Sequence, residues 1–202
     1  MRSSLSVMEP IVHATVSTRA GLATLRDLGE GDVDAIVRYW HESGEEHLDA
    51  IGIDRVRLGS RDDTRQRLTR ALRTGSPLQT SMAFAILIGG EFAGYSLLNR
   101  HAPQINHGHW HITRPELRAS GLSTALYPYR IKMYFDVAPI ERLVHQTRTR
   151  NVGVNRMLDR YVPIAETRYV EAPDGVATPG EFHIRYVHRA DVAGFFLRSV
   201  TP

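Results

Sequence analysis

The sequence predicts an α+β fold (mixed α/β), a central mixed sheet of about seven strands flanked by helices, and two stretches carry that prediction. In residues 105–112, INHGHWHI, His107, His109 and His111 share one parity while Trp110 and Ile112 share the other, which is the period of 2 of a β-strand. A charged turn, Gly121 and a helical pattern follow. In the second stretch, apolar runs at 82–88 and 91–99 flank Gly89-Gly90. Two glycines that both accept positive φ make a two-residue hairpin the economical connection. The length of 202 residues is enough for one well-buried domain and short for two.

Taken in order, residues 1–21 show no sustained period and form an N-terminal extension, either loose or added as an edge segment; a single domain over 22–202 follows. Residues 22–26 read as a short strand. Val33, Ile36, Val37 and Trp40 recur at helical spacing behind Gly31-Asp32, so a helix is predicted over 32–41, with Asp32 accepting from the free N–H groups of its first turn. A broken second helix is expected around His47, Leu48 and Ile51. A third begins at Asp62-Asp63, runs through Leu68 and Leu72, and is closed by Gly75-Ser76-Pro77. Beyond the hairpin, a polar link leads into the histidine strand, and the main helix is predicted over 122–135. Pro128 lies inside it and must remove one backbone hydrogen bond, so a kink or a short first segment is expected. Residues 140–149 form the next strand, 151–161 a helix, and 164–171 and 181–189 a terminal strand pair joined by a loop with Asp174-Gly175 and Pro179-Gly180.

Composition narrows the class. Hydrophobic residues make up 42 % and charged residues 23 %, and no apolar run approaches the ~18 residues of a membrane span. The first residues lack the apolar core of a signal peptide, so a cytoplasmic protein is expected, with no membrane partner. The chain has no cysteine, which removes disulfides, thiolate metal sites and a cysteine nucleophile together. A formal charge of +3 is too small and too dispersed to predict a nucleic-acid surface. Lys132 is the only lysine; the other cationic side chains are arginines, whose rigid fork suits phosphate.

The segment Pro115-Glu116-Leu117-Arg118-Ala119-Ser120-Gly121-Leu122-Ser123 resembles the pyrophosphate-binding signature of the GNAT acyltransferase superfamily, Q/R-x-x-G-x-G/A behind a Pro-Glu-aromatic run. Arg118 takes the first place and Gly121 the essential glycine; Ser123 stands where Gly or Ala is preferred, and Leu117 where an aromatic is frequent. Strand, turn and helix fall on the correct sides of the match. Asn151 and the run Leu158-Asp159-Arg160 resemble a second family segment, an Asn followed by a helix ending in Leu-Glu-Lys-x-Gly-Phe, with Val162-Pro163 replacing Gly-Phe. As a residue type Asn151 is also an ordinary helix cap, and both roles can coexist.

The resemblance implies a V-shaped split after the fourth strand that receives the pantetheine arm of acyl-CoA, acetyl-CoA above all. It implies cofactor contacts from Ile112, Thr113 and Arg114 on the strand, from Arg118, Ala119, Ser120, Gly121, Leu122 and Ser123 at the turn, where orphan N–H groups and the positive helix end meet phosphate, and from Asn151. It implies direct attack by a small-molecule or peptidyl amine on the thioester. The family often places a glutamate base on this strand; here the candidates are His109, then His111 and His107, imidazoles that accept a proton near pH 7. Metal binding by the three histidines ranks below catalysis, because same-face positions on a strand stand roughly 7 Å apart. A general-acid tyrosine is expected where Leu158 stands, which leaves Tyr161 as a weaker candidate. His145 reads as a buried structural histidine. Two alternatives stay open: a donor that is phosphopantetheine on a carrier protein or an aminoacyl-tRNA, and a non-catalytic acyl-CoA-binding module. A homodimer is allowed.

Overall fold

The computed structural model describes residues 10–73, 81–102, 104–171, 173 and 176–199. Eight strands form one mixed sheet, β1 (Val12–Thr18), β2 (Gly21–Asp27), β3 (Ser81–Ile88), β4 (Glu91–Ala102), β5 (Ile105–Ile112), β6 (Arg142–Arg148), β7 (Glu166–Val170) and β8 (Gly180–His188), in the order β1-β2-β3-β4-β5-β6-β8-β7. The helices are α1 (Val33–Glu42), α2 (Glu45–Ile51), α3 (Arg55–Leu58), α4 (Arg61–Arg73), α5 (Leu122–Val137), α6 (Val152–Asp159) and α7 (Val192–Ser199). The strand beyond the expected seven is β1, which pairs antiparallel with β2 from Val12↔Arg26 to Thr18↔Gly21. Of the two forms foreseen for residues 1–21, the edge segment is therefore the one present at Val12–Thr18, while residues 1–9 lie outside the described residues.

The sheet is antiparallel except at one place. β5 and β6 run parallel and pair only at Ile105↔Arg142, Asn106↔Leu143 and His107↔Val144. Beyond His107 the two strands part, because β5 stays in register with β4 up to Gly94↔Ile112 while β6 follows β8 along its whole length. This is the V-shaped split; with β1 added it follows the fifth strand in chain order. Gly94 lets β4 and β5 approach there, since a Cβ on it would lie 2.3 Å from the His111 carbonyl oxygen. The hairpin glycines behave as their residue type predicts, with φ of +58° at Gly89 and +87° at Gly90.

The two faces of the sheet carry different layers. On one, Ile36 and Tyr39 of α1, with Leu68 and Leu72 of α4, pack on Ala85 and Tyr95. On the other, α5 is buried along Leu122, Leu126, Tyr127, Ile131 and Tyr134, enclosed between the sheet and Phe195 of α7. Period-2 alternation then sends His109 and His111 to the α1 face and Trp110 and Ile112 to the α5 face.

Two local expectations are corrected. Asp32 does not cap α1 with its side chain; it accepts from the Gly29 N–H at 2.8 Å and pairs with both Arg26 guanidinium NH groups at 2.8 Å. A bidentate arginine in a half-buried setting outcompetes a neutral cap bond. Pro128 does not break α5, which runs unbroken from Leu122 to Val137. The carbonyl that proline deprives of a donor is that of Thr124, four residues earlier, and the Tyr161 hydroxyl donates to it at 2.8 Å. Tyr161, 3 % exposed and stacked on Tyr127 at 4.5 Å, is therefore a helix-stabilising residue rather than a general acid. The closure at Gly75-Ser76-Pro77 and the Asp174-Gly175 turn lie outside the described residues. No helix among the described residues is long and apolar enough to cross a membrane.

Candidate active site

The turn after β5 is built for an anion. Residues 115–117 make one 3-10 turn, Ala119 adopts φ +59° and Gly121 φ +82°, and α5 begins at Leu122. Within this turn the Arg118 N–H is taken by Pro115 O at 3.1 Å, the Ser120 N–H by Leu117 O at 3.4 Å and the Leu122 N–H by Ser120 Oγ at 3.3 Å. Among the described residues no acceptor takes the N–H groups of Ala119, Gly121, Ser123 or Thr124. Four unclaimed donors at the positive end of a 16-residue helix fit a phosphate group. A Cβ on Gly121 would meet nothing within 4 Å, so glycine here serves the left-handed backbone and leaves open the space in front of the donors.

The slot beside this turn is the opening between β5 and β6. Thr113 gives its N–H to Ala93 O at 2.9 Å, toward β4. Backbone groups alternate between strand edges, so Trp110 and Ile112 turn theirs toward the slot. Two contacts agree: Gly108 O accepts from His145 Nδ1 at 3.1 Å, and Ile112 O accepts from Arg118 Nε at 3.3 Å. Among the strand residues named from sequence, Thr113 thus faces away by its N–H while Ile112 faces in. Arg114 is paired with Glu116 at 2.7 Å. Asn151 ends the other arm, where it caps α6 by accepting from the Val154 N–H at 3.4 Å. Because β5 and β6 are parallel, Asn151 and the Gly121 turn stand at the same end of the slot.

The histidine face carries an ordered hydrogen-bond chain. Arginine only donates, so Arg118 gives a hydrogen to His47 Nδ1 at 3.4 Å. His47 must then carry its proton on Nε2 and donate to the Tyr39 hydroxyl at 3.0 Å, and Tyr39 donates to His111 Nδ1 at 3.2 Å. His111 consequently keeps its proton on Nε2. Its ring stacks on Tyr95 at 5.1 Å and meets the edge of Trp40 at 4.8 Å. Burial, joined by the neighbouring His109, His47 and Arg118, lowers the His111 pKa to about 3. Burial and then the Arg130 charge lower that of His109 to about 4. Both rings are neutral at pH 7, in the form that accepts a proton, though neither holds one readily. His107 is buried at the foot of the V, its ring 5.8 Å from that of His109. Among the described residues no group of three His, Asp or Glu side chains could hold a metal ion.

His145 is buried between Tyr127 Oη at 3.0 Å and Gly108 O, a structural placement. Two cavities open on the α1 face. One of about 450 Å³ is lined by Arg38, Tyr39, His47, Thr113, Arg114 and Arg118. A smaller one of about 110 Å³ at the foot of the V is lined by His107, Arg142, Val144, Gln146, Arg168 and Tyr186. The site roles of His47 and Tyr39 have no local signal in the sequence, because they rest on contacts across 71 and 72 positions. Nor has Asn155 such a signal: it donates to Arg148 O at 2.8 Å and accepts from Thr147 at 2.6 Å and Arg185 at 3.0 Å, fixing the turn from β6 into α6.

This arrangement, a mixed sheet split after β5 with a helix start facing the opening, is the GNAT acyltransferase fold, and solved structures of such proteins match it over nearly the whole chain. RimJ from Mycobacterium smegmatis, in complex with CoA disulfide, superposes with a TM-score of 0.74 at 15 % identity, covering 94 % of this chain and 96 % of that one. RimL, a ribosomal alpha-N-protein acetyltransferase in complex with coenzyme A, gives 0.70 at 14 % over 88 % and 98 %. The aminoglycoside acetyltransferase AAC(6')-Ib, in complex with coenzyme A and kanamycin, gives 0.66 at 13 % over 85 % and 98 %. No protein-family model matches the sequence, and no curated protein sequence matches it either, so the likeness is one of fold.

Proposed function

We propose that this chain is an N-acyltransferase that moves an acyl group from acyl-CoA, acetyl-CoA in the first instance, to an amine by direct attack. The observation that carries the reading is the parting of β5 from β6 beside four unclaimed N–H groups at the start of α5. Structures with this fold hold coenzyme A, and those named for ribosomal-protein and aminoglycoside acetylation support a peptidyl or small-molecule amine as acceptor.

In this reading the N–H groups of Ala119, Gly121, Ser123 and Thr124 hold the diphosphate, assisted by the helix dipole. The slot-facing backbone of Trp110 and Ile112 pairs with the amides of the pantetheine arm, and Asn151 borders its mouth. A bound thioester supplies an activated carbonyl whose thiolate leaves with little acid help, thiol pKa values lying near 8.5. That relieves the need for a tyrosine at Leu158. His109 accepts a proton from the nitrogen after its lone pair has begun to bond to carbon, the stage at which that proton is acidic enough for a weakly basic imidazole. His111, with its proton on Nε2, serves as a donor rather than a base, and His107 shapes the foot of the slot.

The test is thermal unfolding with and without CoA. Saturation at 100 times the dissociation constant stabilises by about 2.7 kcal/mol, worth roughly 5–10 °C for a chain of this size. Gly121→Glu, which places a carboxylate in the anion site, abolishes the rise. A wild-type protein indifferent to CoA, yet stabilised by an acylated carrier protein, would overturn the donor assignment.

A further inference from the structure

The pattern of α5 puts a charge where an apolar residue belongs. Leu126, Tyr127, Ile131 and Tyr134 form its buried stripe, and Arg130 falls on that stripe at helical spacing. Arg130 is 1 % exposed. Its guanidinium lies 3.7 Å above the Trp110 ring, 5.4 Å from Tyr127 and 5.9 Å from Tyr134. Among the described residues none of its N–H groups has an acceptor and no carboxylate pairs with it, and its Nε is fully enclosed.

The same chain shows what a buried arginine with paired terminal NH groups looks like, although the Arg185 Nε, like that of Arg130, has no acceptor among the described residues. Arg185, 0 % exposed, donates to Asn155 at 3.0 Å, to Thr147 at 3.2 Å and to Asp159 at 2.6 Å. Arg130 has three aromatic faces instead. A cation on such faces regains only part of its lost hydration, because a buried unpaired ion costs more than the ring faces return. A leucine or methionine would fill the space without that cost, so the guanidinium is a donor set awaiting an oxygen.

Its position says which oxygen. Arg130 stands two turns into α5, roughly 12 Å along the axis from Leu122 at about 1.5 Å per residue. Trp110 beneath it belongs to β5, and Tyr127 beside it holds His145 of β6. Arg130 therefore sits behind the slot, between the arms, beyond their last paired residues His107 and Val144. Its charge reaches both arms, acting after burial to lower the pKa values of His109 and His145.

We propose that Arg130 is the oxyanion site of this enzyme, its guanidinium donating to the carbonyl oxygen of the thioester held in the slot. This rests on the acyltransferase reading above. As the nitrogen lone pair forms the N–C bond, the carbonyl π pair moves on to oxygen, and Arg130 receives that charge in a water-poor setting where it counts most. On collapse the C–S bond breaks, sulfur leaves with the electron pair, and the nitrogen's proton passes through His109 to the thiolate. The products are an amide and free CoA thiol.

Acetyl-CoA labelled at the acetyl carbonyl carbon tests this by nuclear magnetic resonance. In the wild type the bound carbonyl resonance moves downfield of its free position. In Arg130→Met, CoA affinity and melting temperature are retained while the resonance returns toward the free position, and Arg130→Lys lies between. With any amine the wild type accepts, Arg130→Met lowers kcat roughly 10²–10³-fold with the KM for acetyl-CoA unchanged. An identical carbonyl resonance in wild type and Arg130→Met removes Arg130 from the site. If the methionine variant does not fold, the guanidinium nitrogen resonances of wild-type Arg130 decide instead: they respond to acetyl-CoA more than to CoA, and an equal response overturns the proposal. Binding of neither compound defeats the acyltransferase reading itself, a result distinct from binding without polarisation.

Discussion

The proline inside α5 gives a sharp test of how this chain holds its central helix. Tyr161→Phe keeps the ring that stacks on Tyr127 and removes only the hydroxyl that donates to Thr124 O at 2.8 Å. With Pro128 in place that carbonyl has no helical donor, and an orphaned polar group in the interior costs about 1–3 kcal/mol. The substitution should lower the melting temperature by roughly 2–4 °C per kcal/mol and the urea midpoint without changing the slope. Pro128→Ala supplies the missing N–H, so in that background the carbonyl keeps a donor when the hydroxyl is gone. The cost of Tyr161→Phe then falls toward zero, a coupling of about 1–2 kcal/mol in a double-mutant cycle. Equal costs in the two backgrounds would refute the claim that Tyr161 compensates for the proline.

Acid should destabilise the fold well above the carboxylate range. His109 and His111 have pKa values lowered from 6.5 to about 4 and about 3, so the unfolded chain binds protons that the folded one does not as pH falls below about 6.5. Their stabilising contribution is complete above that pH and is lost as pH falls through about 4 for His109 and about 3 for His111, on the order of several kcal/mol in all at ~1.4 kcal/mol per pH unit for each. His111→Gln should flatten the fall in urea-unfolding stability, and an unchanged slope would contradict the burial argument. The tautomer chain makes a separate prediction. Arg118→Met frees His47 Nδ1, so the nitrogen resonances of His111 change from a pure Nε2–H form to a tautomer mixture; no change would mean that Arg118 does not order the chain.

The parts of the fold legible in the sequence are those dictated by neighbours along the chain. Gly89-Gly90 announces its hairpin because two left-handed residues leave few other turns, and 105–121 announces strand, turn and helix because period 2 gives way to period 3.6 at a glycine. The split after β5 was legible only through the family resemblance. The anion site was readable as a motif, though which of its N–H groups remain unclaimed depends on local bonds such as Ser120 Oγ to the Leu122 N–H. Asp32 differs from its expected capping role because Arg26, six residues earlier near the end of the preceding strand, competes for its carboxylate. Tyr39 and His47 were invisible because no local pattern links them to His111. Arg130 did leave a signal: a cation at a core position of an otherwise apolar stripe.

Acyl transfer from acyl-CoA to an amine can be followed by measuring thiol released from acetyl-CoA in the presence of amines, with mass analysis of the products. Thiol release should depend on an amine, match the N-acetylated product mole for mole and be lost in Gly121→Glu. Protein that binds CoA yet releases no thiol with any peptidyl or small-molecule amine would contradict acyl transfer.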